Sequence, residues 1–236
     1  MITATLTPNE VIRTNGYMLH ILRRYEINHE DKDTLTKIAE KKHFNVDFLV
    51  DLLNAFDELK PGMVYQFESY EIPVLLNYLR RSHKYYLGRR LPEILFSMQE
   101  VYRLYPSLSA LKEFILQYTQ NLEEHFAQED EILFPYAEYL YNATKTYKQV
   151  PLIDSYFYEF SVKDFLHDHN AERDLKLMRL ALEEHNPTTN NWSPYRITLE
   201  LIKNFEDDLK IHAMIEDKIL IPRMLEIERH ILSTLN

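Results

Sequence analysis

Two stretches of this chain repeat a metal-binding pattern: His125-Phe126-Ala127-Gln128-Glu129-Asp130-Glu131-Ile132-Leu133-Phe134-Pro135 and His212-Ala213-Met214-Ile215-Glu216-Asp217-Lys218-Ile219-Leu220-Ile221-Pro222. Each puts an imidazole four residues before a carboxylate. On an α-helix that spacing turns about 400°, so the two side chains fall within about 40° of one face and about 6 Å apart along the axis. They can hold one ion together. A single His-x-x-x-Glu is common as a helix-stabilising pair, but chance pairing does not predict the same flanking Asp, Ile, Leu and Pro at the same offsets. The repetition points to two helices facing each other across a shared two-metal site.

Two histidines and two glutamates do not fill such a site, and further donors stand upstream of each copy. His83 lies 42 residues before His125, and His169 lies 43 residues before His212. Each half therefore reads His, a crossing, then His-x-x-x-Glu, which aims four imidazoles and two carboxylates inward at one level of a bundle core. The third helix holds both His167 and His169, and residues two apart on a helix point about 200° from each other, so only one can face the core. Val162, Phe165 and Leu166 put His169 on the apolar side, whereas Phe160, Ala171, Leu175 and Met178 favour His167. The half-bundle spacing selects His169, with His167 as the alternative. His20, His29, His43, His185 and His230 fall outside the repeat and read as surface residues.

Nitrogen and carboxylate donors without sulfur suit iron, manganese or zinc, with iron favoured. If Glu129 and Glu216 bridge two ions, two imidazoles per ion and an oxo or hydroxo bridge give each ion five donors and leave one position open to a small molecule. Tyr85 and Tyr86, within a turn of His83, can line the pocket or pack the core, and core packing is the simpler role. Asp168 either orients a neighbouring ligand or is solvated.

The elements that must position these residues are helical. Only 3 glycines among 236 residues leave few places for hairpin turns and argue for an all-α chain. Four long amphipathic patterns run over about 71–102, 107–141, 156–184 and 194–232, separated by turn-rich stretches. An up-down-up-down four-helix bundle follows. Pro92, Pro135 and Pro222 lie inside three of these helices and should kink or locally break each one. Before the bundle, shorter helices around 10–25, 33–39 and 46–53 form a small N-terminal helical domain over residues 1–60. The segment 61–70, with Pro61-Gly62, reads as a linker to the bundle domain at 71–236.

A formal net charge of −10 argues against non-specific binding to nucleic acid or to an anionic membrane. The pairs Arg80-Arg81 and Arg89-Arg90 read as solvated helix faces. Without cysteine the chain has no thiol nucleophile, no disulfide framework and no cysteine-ligated cluster of its own. The first 25 residues lack the continuous apolar core of a signal peptide or a membrane span, so a cytoplasmic protein is expected, and a homo-oligomer is compatible with the chain.

The segments Ser82-His83-Lys84-Tyr85-Tyr86 with Leu91-Pro92-Glu93-Ile94, the His125-x-x-x-Glu129 box with Leu133-Phe134-Pro135, Asp168-His169-Asn170-Ala171-Glu172, and His212-x-x-x-Glu216 with Leu220-Ile221-Pro222 resemble the hemerythrin-like (HHE cation-binding) di-iron domain. More narrowly they resemble the iron-sulfur cluster repair (RIC) di-iron proteins, over roughly residue 71 to the C-terminus. The resemblance implies an oxo-bridged pair of iron ions held by His83, His125, Glu129, His169, His212 and Glu216. It also implies stress protection by recovery of iron-sulfur clusters damaged by nitric oxide or oxidants. The expected partners are oxygen, nitric oxide or damaged iron-sulfur proteins, and the alternative function is an oxygen or nitric oxide sensor. Tyr25-Glu26-Ile27-Asn28 and Thr34-Leu35-Thr36-Lys37-Ile38-Ala39 resemble part of the small domain that precedes the bundle in these proteins. The vicinal cysteines usual between those segments are replaced by His29, Glu30, Asp31, Lys32 and Asp33, so thiol chemistry there is absent. The oxygen carriers of the superfamily use a fifth histidine where this chain has Arg173, which favours redox reactivity or iron lability over stable oxygen storage.

Overall fold

A computed structural model describes residues 1–58, 67–145, 161–165, 171–185 and 193–234, and among them every regular element is a helix. Helices α1 (Pro8–Thr14), α2 (Met18–Arg24), α3 (Leu35–Lys42) and α4 (Val46–Glu58) precede the bundle. The first bundle rod is α5 (Ile72–Tyr85) continued by α6 (Leu91–Leu104), and the second is α7 (Ala110–Gln128) continued by α8 (Phe134–Lys145). The described part of the third rod is α9 (Ala171–His185), after a short 3-10 turn at Val162–Phe165, and the fourth is α10 (Ser193–Ile215) continued by α11 (Ile221–Thr234). Helix α6 packs on α7 and α10, α9 packs on α7 and α10, and α5 and α11 both pack on α8. Successive rods are thus antiparallel and the second and fourth run parallel, as an up-down-up-down bundle requires. No described helix is long and apolar enough to cross a membrane.

The prolines act on this frame in one consistent way. Each interrupted rod passes through a single π-turn, at Tyr86–Arg90, Glu129–Leu133 and Glu216–Leu220. In each, the residue just before the proline donates its N–H five residues back: Leu91 to Tyr86, Phe134 to Glu129, and Ile221 to Glu216. A proline cannot donate to the carbonyl four residues earlier and its ring crowds that carbonyl. One widened turn accommodates both problems while the rod continues. The expected interruption therefore takes the form of a π-turn, a feature enriched at functional sites.

Two apolar clusters fill the bundle. One unites Tyr86, Leu91, Met98, Leu122, Phe126, Leu175, Ile202 and Phe205. The other joins Met18, Leu22, Phe48, Leu49 and Leu52 of the N-terminal helices to Leu75, Leu79, Phe134, Leu140, Ile215 and Met224 of the bundle. At about 1.5–3 kcal/mol for each fully buried large apolar side chain, this shared core binds the N-terminal helices firmly to one end of the bundle. Residues 61–66 of the expected linker lie outside the described residues, and Phe67 directly after them is fully buried in the shared core.

Three local expectations change. The helix expected over 10–25 is two helices, because Asn15 leaves helical geometry and its side chain accepts the Tyr17 N–H at 3.0 Å, an Asx turn that restarts the chain. Arg90, read as part of a solvated face, is fully buried, with its guanidinium 6.0 Å from the Tyr17 ring and 3.6 Å from Glu93. His20 is half-buried at the junction of α2 and the bundle, where its Nδ1 lies 2.7 Å from the Tyr85 hydroxyl.

Candidate metal centre

The candidate pocket is built from residues at or just before the π-turns of three rods, beside members of both apolar clusters. Helix α5 presents His83 three residues before its π-turn, while Glu129 and Glu216 each open one. His125 and His212 sit a turn earlier on α7 and α10, as the i,i+4 spacing requires. Ligand atoms of His83, Glu129 and His212 all lie within 4.8 Å of one another, and all three residues are buried.

The distances define the donor set. His83 Nε2 stands 3.3 Å from His212 Nε2 and 3.2 Å from Glu129 Oε2. Glu129 Oε1 lies 2.8 Å from His125 Nε2, and Glu216 Oε2 lies 3.5 Å from His212 Nε2. The two oxygens of Glu129 therefore face two imidazole environments, His125 on one side and the His83–His212 pair on the other. Of the six residues read from the sequence, the structure brings together His83, His125, Glu129, His212 and Glu216. His169, its alternative His167 and Asp168 lie outside the described residues.

This donor set fits a transition metal. Two imidazole nitrogens 3.3 Å apart match neighbouring donors on one ion, since bonds of about 2.1 Å meeting at roughly 100° span that separation. Behind the ring, Asp130 Oδ2 lies 3.1 Å from the remote nitrogen of His83, Nδ1, at ion-pair distance. A carboxylate behind a ligating imidazole fixes its ring and raises its basicity. Burial works against a charged His83, but Asp130 and Glu129 outweigh it and raise the pKa above the ordinary histidine value. A metal ion binding at Nε2 competes with that proton.

Aromatic rings set the remaining walls. Phe126 stacks on the His83 imidazole at 4.0 Å with an interplanar angle of 15°, and Phe134 stacks at 5.4 Å and 18°. The His83 ring is thus clamped within a plane that aims Nε2 at the pocket. Tyr86 and Phe126 meet the His212 ring edge-on at 5.7 Å and 5.8 Å. A turn before His212 on α10, buried Asp208 pairs with Arg24 of α2 at 2.5 Å and accepts the Tyr86 hydroxyl at 2.6 Å.

Sequence reasoning missed Asp130, Arg24 and Asp208 as supports of the site. Asp130 carried a signal, since an aspartate follows the glutamate in both copies of the repeat. Arg24 and Asp208 lie 184 residues apart and carried none. The chain matches no protein-family model, and no curated protein is similar to it in sequence.

Proposed function

We propose that this chain is a hemerythrin-like di-iron protein of the cytoplasm that protects against nitric oxide and oxidants by helping to restore damaged iron-sulfur clusters. One observation carries the metal part: the buried convergence of His83, Glu129 and His212 donor atoms within 4.8 Å. Glu129 and Glu216 would bridge the two ions, with His83, His125, His212 and His169 supplying one nitrogen each. A bound iron pair supplies one-electron redox chemistry and an exchangeable position for a diatomic ligand. The chain's own part is to hold these donors and limit water. Phe126 and Phe134 stack on His83, Asp130 lies beside its Nδ1, and these two phenylalanines belong one to each apolar cluster. The repair role rests on the sequence resemblance.

Metal analysis of protein produced in iron-replete cells tests the first part, with two irons per chain and oxo-to-iron charge-transfer absorption expected. Well under one metal per chain overturns it. For repair, the loaded protein is mixed with a nitrosylated cluster enzyme, and recovery faster than with free ferrous iron is expected. A sensor role is the second reading, favoured by the contact of Arg24, on a helix outside the bundle, with Asp208 beside the site. It predicts no gain in recovery, together with a change in partner binding when nitric oxide is added.

A further inference from the structure

An unbroken series of rings leads from the pocket to the surface. The Tyr86 ring lies 5.7 Å from that of His212, Tyr85 lies 6.4 Å from Tyr86, and His20 lies 6.3 Å from Tyr85. His20 then opens, beside Tyr17 at 5.4 Å, onto a cleft of about 440 Å³ between the N-terminal helices and the bundle, also lined by Asn15, Asn204 and the carboxylates of Glu200 and Asp207. Each phenol on this path has its own proton acceptor. Tyr86 donates to Asp208 Oδ1 at 2.6 Å, and Tyr85 oxygen lies 2.7 Å from His20 Nδ1.

We propose that Tyr86, Tyr85 and His20 form a relay that carries oxidising equivalents, one at a time, from the buried histidine–carboxylate pocket to this cleft. Its inner end rests on the metal-centre reading, whereas the relay itself is a property of the chain. The Arg24 guanidinium sits 5.2 Å from the Tyr86 ring and 5.3 Å from the Tyr85 ring. Its positive charge disfavours a cationic ring, so a proton must leave each phenol together with the electron. An acceptor already within hydrogen-bond reach makes that transfer local. Burial and the charges of Arg90, Arg23, Arg24 and Arg89 hold His20 neutral, so one ring nitrogen keeps a lone pair, and a proton passed to it is held only transiently before it returns to Tyr85.

With a peroxide as oxidant and ascorbate as reductant, atoms and electrons balance. Tyr86 gives one electron to the oxidant in the pocket and its proton to Asp208. Tyr85 then reduces the Tyr86 radical, which recovers its proton from Asp208, while the proton of Tyr85 moves to His20. An ascorbate monoanion at the cleft restores Tyr85 by releasing one electron, His20 returns the proton to the phenolate oxygen, and the proton lost by ascorbate passes to solvent. Two passages, with two protons taken from solvent to match the two that ascorbate releases there, convert one hydrogen peroxide to two waters, and two ascorbates become ascorbyl radicals. The pocket's imidazoles and aromatic walls are thereby spared oxidation.

Two measurements on the full chain test this. In the first, the metal-free protein carries 3-aminotyrosine in place of Tyr86, an easily oxidised reporter, and flash-generated tris(bipyridine)ruthenium(III) is the oxidant. Oxidation of the reporter, read by absorbance and electron paramagnetic resonance, should slow at least about tenfold in a Tyr85→Phe background. An unchanged rate overturns the relay. In the second, iron-loaded protein is mixed with hydrogen peroxide and freeze-quenched. A tyrosyl signal is expected that Tyr86→Phe removes and that decays at least about tenfold more slowly with ascorbate in Tyr85→Phe. Persistence of the same signal in Tyr86→Phe overturns the assignment. If the chain takes up no iron, the proposed function fails and the first measurement alone decides the relay.

Discussion

Two buried polar clusters lie one helical turn apart on α10, and they are built on opposite logic. Around Asp208, opposite charges answer each other within the chain: Arg24 pairs at 2.5 Å, Tyr86 donates at 2.6 Å, and the other side of the guanidinium reaches the Ser82 hydroxyl at 3.2 Å. Around His212, imidazoles and carboxylates from three rods converge on a common point, with two ring nitrogens 3.3 Å apart. A buried ion pair spends its donors and acceptors on each other, because an unanswered buried charge is costly. A ligand site gathers donors of one electronic kind, lone pairs, and relies on a cation to draw them together. The difference separates structure from chemistry inside one core.

Removing one partner from each cluster should separate the two most clearly. Asp208→Ala leaves Arg24 buried without its counter-charge and should cost about 3–5 kcal/mol, measured by urea unfolding of the metal-free protein. Glu129→Ala in the same metal-free protein should cost clearly less, because His83, whose proton Glu129 helps to hold, keeps Asp130 beside it and can release that proton, whereas the Arg24 guanidinium cannot. Equal losses would mean that the pocket is a structural network after all. Metal addition should reverse the ranking of the two sites. At a free iron concentration one hundred times the dissociation constant, loading should stabilise the wild-type chain by about 2.7 kcal/mol for each ion bound. Glu129→Ala and Glu216→Ala should each abolish both ions together with that gain. Retention of two irons in either variant would remove its bridging role.

A smaller effect is expected behind the ligands. Asp130 stands 3.1 Å from His83 Nδ1, so Asp130→Asn keeps the shape but weakens the support of the imidazole. Metal affinity should fall roughly 10- to 100-fold, with the metal-free fold unchanged by circular dichroism. Isothermal titration of both proteins gives the answer, and equal affinities would leave Asp130 with only a surface role.

How much of the fold and the site is legible in the sequence depends on the range of the interaction. His125 with Glu129 and His212 with Glu216 are local pairs on a regular helix, and their repetition at matched offsets is enough to mark them. Matched spacing singles out His83, which works because successive bundle rods have similar lengths. Asp130 shows where counting stops. It follows Glu129 in the sequence, but the π-turn that starts there departs from the 3.6-residue period, so periodicity cannot say which residue after Glu129 meets α5. The same turns hide the true effect of Pro92, Pro135 and Pro222, whose ring clash predicts a break but not the single wide turn that absorbs it. Arg90 misleads because a doubled arginine looks solvated, whereas its buried guanidinium faces the ring of Tyr17, which the local sequence does not announce.

His20 supplies the mildest test, at the seam where the Arg24–Asp208 cluster meets the surface. Burial first, then the charges of Arg90, Arg23, Arg24 and Arg89, depress its pKa from 6.5 to about 3. Between those values the unfolded chain binds a proton at His20 that the folded chain refuses, so stability falls as pH drops from 6.5 toward 3 and is unaffected by this group above 6.5. His20→Gln removes that linkage. At pH 7 the variant should be slightly less stable, by about 1 kcal/mol for the lost Tyr85 contact. As pH falls below 6.5 the gap should close and then reverse, because the variant carries no imidazole to protonate on unfolding. Urea midpoints of the two metal-free proteins across this range measure the difference directly, and contributions from all other titrating groups largely cancel in it. Parallel curves would mean that His20 titrates as freely in the folded chain as in the unfolded one, and that the seam, unlike the cluster beneath it, is open to water.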